Sequence, residues 1–291
     1  MKTISRQTFE GERPLFGARD LILDHVLILP GESALKETSN ITAVNCEFNG
    51  KYPFWHTHGF TVRDCLFREG ARAALWYSDH LKMEDTLILA PKMFREMQEL
   101  QLKNVRLPHA AETLWGCHGI SLEDVSADEG DYILMGSTDI SAVRFNLNGN
   151  YSFQKARNVT IAGSVLNSKD AFWESENVTV RDSVLNGEYL GWHSKNLTLI
   201  NCRISGTQPL CYAENLTLKN CTMAEDADLA FEYSSVEAEV QSRITSIKNP
   251  LTGHIRCEQC DNIIIDANLK APGDCIIDTF SNPQKSGAAL A

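Results

Sequence analysis

Apolar residues recur along this chain at two superposed periods. On the short scale they alternate with polar ones, as in Asn177-Val-Thr-Val-Arg-Asp-Ser-Val-Leu185 and again in Asn196-Leu-Thr-Leu-Ile-Asn-Cys-Arg-Ile204. On the long scale the first apolar residue of that motif returns every 19 to 21 residues, at Leu21, Ile41, Phe60, Leu81, Leu100, Ile120, Ile140, Val159, Val178, Leu197, Leu216 and Val236. Two positions after each of these anchors the residue is again apolar, which predicts a strand with one face turned inward. Four positions after the anchor Asn, Asp or Gly dominates, as at Asn45, Asp64, Asp85, Asn104, Gly163 and Asn201. These residues tolerate a left-handed backbone and predict a corner. Apolar positions resume three residues later (Phe48, Phe67, Leu185, Ile204), and another column lies six before each anchor (Phe54, Leu75, Leu134, Phe172). One repeat therefore reads as strand, corner, strand, variable turn and a third inward strand.

A fixed period of this length belongs to solenoids. A leucine-rich repeat needs a Leu three residues before the anchor, where this chain places Thr57, Ser78, Cys117, Ser137 and Ser194, side chains too small to hold a convex helical layer. A left-handed β-helix needs strict hexapeptides, which are absent. The pattern predicts an all-β, single-stranded right-handed parallel β-helix of about twelve coils of 19–21 residues. Residues 1–19 are expected to cap it, residues 20–280 to form the helix domain, and residues 281–291 to form a flexible tail.

The Asn177 and Asn196 coils, the tryptophans of the third arc and the segment Ser246-Ile-Lys-Asn-Pro-Leu-Thr-Gly-His-Ile255 together resemble an uncharacterised bacterial family of pectin-lyase-like β-helix proteins. The resemblance spans nearly the whole chain. It implies the parallel β-helix fold and brings no catalytic residues. The paired-Asp and calcium-site signatures of pectate lyases and polygalacturonases are not evident.

One column carries chemistry. All five tryptophans, Trp55, Trp76, Trp115, Trp173 and Trp192, lie five residues before an anchor. The next position holds His56, Tyr77, Glu96, Gly116, Gly136, Lys155, Glu174, His193, Tyr212 and Glu232. Apolar columns on either side predict that this pair straddles a bend, with at least its second member in solvent. Buried Trp packing as a structural ladder, beside a solvated face stapled by pairs such as Lys155 with Glu174, accounts for the columns without function. The functional reading is a groove in which aromatic rings meet sugar and Glu96, Glu232, His56 and Tyr77 bind hydroxyls. Lys155, Glu174, His193 and Tyr212 are the candidate acid–base residues. For elimination from a uronate, His193 or Tyr212 would take the C5 proton while Lys155 offsets carboxylate charge. Retaining hydrolysis needs carboxyls about 5 Å apart, and Glu174 and Glu232 are three coils apart. Asp79, His80, His118, Asp131 and Asp170 lie close to the same arc.

Composition then narrows the partners. The chain has 291 residues, 43% hydrophobic, enough for a substantial core. A net charge of −11 disfavours nucleic acid and anionic membranes, and no apolar run reaches the length of a membrane span. The N-terminal residues show no apolar secretory segment, so the nine cysteines are expected reduced and the protein cytoplasmic. Five Asn-x-Thr sequons, at Asn40, Asn158, Asn177, Asn196 and Asn215, are then not expected to carry glycans. Cys46 and Cys65, like Cys202 and Cys221, share a coil position and read as small buried thiols. Cys257 and Cys260 form a lone CxxC with no second ligand pair. His56 and His58 with Tyr77 or Asp79 would suit zinc or iron, but no metal is assigned and no cofactor is identified. The expected function is binding, with acid–base action where chemistry occurs, of a small carbohydrate or glycan fragment. The alternative is a non-enzymatic scaffold that meets a protein or a second copy through a solenoid face.

Overall fold

The columns of the sequence become columns in space. In the computed structural model, which describes residues 1–267 and 273–280, every strand that begins a coil lies parallel to its counterpart one coil on. The chain divides into two units, Met1–Val159 and Thr160–Ala291. In the first, the strands Lys2–Ser5, Arg19–Asp24, Ser39–Val44, His58–Arg63, Asp79–Ile88, Gln98–Leu107, His118–Glu123 and Thr138–Val143 stack in that order. Their register is the sequence register: Leu21 faces Ile41, Ile41 faces Phe60, Phe60 faces Leu81, Leu100 faces Ile120 and Ile120 faces Ile140. In the second, Glu176–Arg181, Lys195–Ile200, Leu216–Met223, Ser235–Lys248, Thr252–Ile264 and Asp274–Thr279 do the same. The fold is all-β, with no helix among the described residues; each unit is a parallel β-solenoid, and the two hold about 14 turns between them. The sequence reading of twelve stopped short at both ends. Lys2 pairs with Leu21, Val236 with Gly253 and Gly253 with Cys275, three further places in the anchor column that no apolar anchor marks. The expected cap, residues 1–19, carries strands Lys2–Ser5 and Thr8–Glu12 paired with the next coil; residues 281–291 lie outside the described residues.

The third arc differs from expectation. It is a run of turns whose backbone groups bond from coil to coil, as Phe54 N–H does to the Ala74 carbonyl, without forming strands beyond isolated bridges such as Arg95 with Trp115, because alternate residues are left-handed. Phe94, Leu114, Leu134, Phe153, Phe172, Leu210 and Phe231 all have φ between 56° and 66°. Left-handed backbone costs such residues about 1–2 kcal/mol each. The side chains that carry this strain are fully buried, and their burial offsets it.

Small polar side chains close the corners. Thr57 N–H donates to Ser78 Oγ at 2.9 Å, and the Ser78 hydroxyl donates to the Phe54 carbonyl at 2.6 Å. The same relay joins Cys117, Ser137 and Leu114, and again Ala213, Ser234 and Leu210. Ser78, Ser137 and Ser234 thus satisfy backbone groups that the turns leave without strand partners. The paired cysteines serve likewise, with Cys46 N–H donating to Cys65 Sγ at 3.3 Å. Burial pushes the Cys117 and Cys211 thiols up to about 12, which leaves them protonated and inert. The sequon asparagines sit at left-handed corners and donate their amides along the column: Asn215 Nδ2 to Asn196 Oδ1 and Asn196 Nδ2 to Asn177 Oδ1, both at 2.8 Å, with Asn158 Nδ2 donating to Asp139 and Asn40 Nδ2 to Asp20.

Candidate functional site

In the first unit the tryptophans form a closed stack. Trp55 and Trp76 lie 5.7 Å apart, and the Arg95 guanidinium sits between Trp76 and Trp115 at 4.5 and 4.7 Å from their ring centres. Lys36 lies over the Trp55 ring at 5.6 Å. The indole N–H of Trp76 donates to the Lys92 carbonyl at 2.9 Å, and that of Trp115 to the Tyr132 carbonyl at 2.6 Å. These rings are half-buried, with faces engaged within the protein and the indole N–H groups of Trp76 and Trp115 bonded to it. His56 stacks on Tyr77 at 5.4 Å, and Glu96 is exposed.

His56 and His58 do not converge. His58 Nδ1 lies 2.7 Å from one Asp79 oxygen and His80 Nδ1 2.8 Å from the other. Burial pushes the Asp79 carboxyl up, but the hydrogen bonds with His80 and His58 outweigh it and hold the group below its ordinary range. His118 Nδ1 is 2.9 Å from Asp139, and Asp131 accepts the Asn150 N–H at 2.7 Å. Among the described residues no group of three such donors is arranged to hold a metal ion.

In the second unit Trp173 and Trp192 lie 5.7 Å apart, and Trp192 donates its indole N–H to the Gln208 carbonyl at 2.7 Å. Trp173 N–H reaches Glu174 Oε1 at 3.3 Å. Beside them runs a continuous ring stack. His193 lies 4.9 Å from Tyr212 at an interplanar angle of 18°, and Tyr212 lies 5.6 Å from Tyr233 at 26°. The structure thus brings Glu174, His193 and Tyr212 onto one arc of this unit, whereas Lys155 is an exposed residue of the first. Burial, reinforced by the Glu232 carboxylate, holds the Tyr212 phenol above its ordinary range. That direction opposes the role of base that the sequence reading offered it.

Glu232 is not the exposed residue expected. Glu174 N–H donates to the Trp192 carbonyl, His193 N–H to the Cys211 carbonyl and Tyr212 N–H to the Glu232 carbonyl. Glu232 therefore continues the tryptophan column, and Tyr233, with φ 53° beside 57° for Tyr212, takes the neighbouring place. The Glu232 side chain is 8% exposed and paired with Lys248 at 2.9 Å. The shift has a legible cause. Ser194-Lys195-Asn196 leads to the anchor Leu197, whereas Ser234-Ser235 leads directly to Val236, one corner residue short. Tyr233, Lys248 and Asn249, which lies 3.4 Å from Glu232, were missed for that reason.

Among solved structures the chain is similar to the A-module of mannuronan C-5 epimerase AlgE4 from Azotobacter vinelandii, at 9% identity over 99% of this chain and 90% of that one, with a TM-score of 0.34. It is also similar to PfbA, a surface adhesin of Streptococcus pneumoniae (10%, 99% and 89%, 0.43), and to HetL, a pentapeptide repeat protein of the cyanobacterium Nostoc (14%, 77% and 92%, 0.35). At these scores the likenesses carry no argument about function. No curated protein matches the chain. A family model does match, over residues 2–278, and by that match the chain belongs to the family described as a protein of unknown function, DUF3737.

Proposed function

We propose that the chain binds a hydroxyl-rich ligand of the carbohydrate class along the edges of the His193, Tyr212 and Tyr233 stack, with exposed Glu174 beside it. One observation carries this reading. The three rings are fixed by stacking, yet among the described residues their polar atoms make no hydrogen bond to the protein. Ring faces are spent on neighbouring rings, so a sugar meets imidazole and phenol edges rather than lying flat on an aromatic surface. Each direct hydrogen bond that replaces one to water contributes about 0.5–1.5 kcal/mol, and rings already held in place lose little entropy on binding. Tyr212, kept protonated, both donates and accepts. The net charge of −11 favours a neutral sugar over a uronate.

Calorimetric titration with a panel of neutral oligosaccharides tests the reading. Tyr212→Phe keeps the ring and deletes the hydroxyl, so affinity should fall roughly two- to tenfold with the melting temperature unchanged. Binding that survives intact in both Tyr212→Phe and Tyr233→Phe would sink the proposal.

A further inference from the structure

Among the described residues seven large hydrophobic side chains are exposed, and five of them, Met1, Phe16, Ile263, Ile265 and Ile276, lie on the first coil or along the last strands. The first coil is built to the common plan, and no described residue covers its outer side. Lys2–Ser5 pairs with Arg19–Asp24 and Thr8–Glu12 with Leu27–Glu32, and among the described residues neither has a second partner. Ile4 and Phe9 stand in the columns of Leu23 and Ile28, which are 0% and 3% exposed, yet both are only half-buried. Asp274–Thr279, among the described residues, pairs with residues 252–257 alone and there offers a second open edge. Such edges are templates for further pairing.

The charges on the two edges differ in sign on balance. The first coil exposes Lys2, Arg6 and Arg13 beside Glu10 and Glu12, with Arg13 paired to Glu12, whereas the last strands expose Glu258, Asp266 and Asp274 beside Arg256. Lys2 stands in the column that Leu21 fills inward, so two first coils brought together would bury like charges. Against Asp274–Thr279 the same strand continues the register: Ile4 follows Ile277 and Lys2 follows Cys275, one residue from Asp274. We propose that the first coil of one copy docks on the Asp274–Thr279 edge of a second copy, head to tail. This interface uses the local geometry of the two edges and none of the ring stack. It is heterologous, so it adds copies rather than closing as a dimer.

Sedimentation velocity of the full chain across the micromolar to near-millimolar range tests it. Average mass should rise past the dimer with concentration and fall with added salt. Lys2→Glu/Arg6→Glu blocks the head and Ile276→Asp blocks the tail, and each alone should remain monomeric with an unchanged circular dichroism spectrum. Mixed in equal amounts, the two should give a one-to-one dimer and nothing larger. Ile263→Asp serves as a second tail variant should Ile276→Asp misfold. A chain monomeric throughout overturns the proposal, as does a dimer that survives both variants. Association that begins only after removal of residues 281–291 overturns it too, by assigning the edge to the chain's own end.

Discussion

Asp170 shows how far one residue can depart from its surroundings. It is 4% exposed, and among the described residues no hydrogen bond reaches its carboxylate. Burial pushes its carboxyl up, with Glu188 adding to the rise against Lys169. An acid whose pKa is higher folded than unfolded favours folding when protonated and opposes it once pH passes the ordinary carboxylate range. Asp170→Asn keeps the size and the tolerance for its left-handed backbone, φ 54°, while removing the charge. Thermal melts should show the variant more stable at pH 7, by about 1 kcal/mol or less with Lys169 offsetting part of the burial, with the gain gone at pH 3. Equal stability at both values would mean that the carboxylate is solvated after all. The sequence places Asp170 near the candidate arc but does not mark its burial, because Asp at a corner is ordinary and burial is a property of the neighbours.

At the scale of the element, the strands were legible and the turns were not. Alternation at period 2 places the strand residues, and Asn or Asp four after the anchor announces the corner, since both signals rest on residue type. The third arc hides its backbone because its left-handed residues are Phe, Leu, Tyr and His, which ordinarily avoid that region. Its apolar spacing mimics a strand. The candidate column was legible as a column, but Glu232 was misplaced where the corner residue before Val236 is missing. The corner relays make two predictions about the element. Ser137→Ala strands the Cys117 N–H and should cost about 1–3 kcal/mol by urea unfolding. A variant as stable as the parent would show that water replaces the hydroxyl. Asn196→Gly preserves the left-handed backbone and removes two ladder bonds, whereas Asn196→Ala adds the cost of that conformation. Ala should therefore be the less stable, by about 1 kcal/mol, and the reverse order would show that the left-handed corner does not strain Ala at this position.

For the whole molecule, charge is organised as pairs far more than the net value of −11 suggests. Six of the eight histidines lie within 3.0 Å of a carboxylate on their own or another coil, and the other two, His56 and His193, stack on tyrosines. The repeat explains this, because outward positions on successive coils stand about 4.8 Å apart. Like charges there repel and opposite charges meet. Hydrogen bonds with His25 and Ser5 hold Asp24 below its ordinary range, Arg144 does the same for Asp124, and Arg243 for Asp261. For a carboxylate depressed in the folded state, stability is fully present above the unfolded pKa and is lost as pH falls through the folded one. Asp24, Asp79, Asp124 and Asp261 therefore all place their loss below the ordinary aspartate value of 3.8. Far-ultraviolet circular dichroism should accordingly stay flat from neutral pH to about pH 4 and fall below it. Each contribution is a surface one, so molar salt should screen the pairs and move the acid transition upward. A transition that began near pH 6, or one indifferent to salt, would take acid stability away from these pairs and assign it to the core.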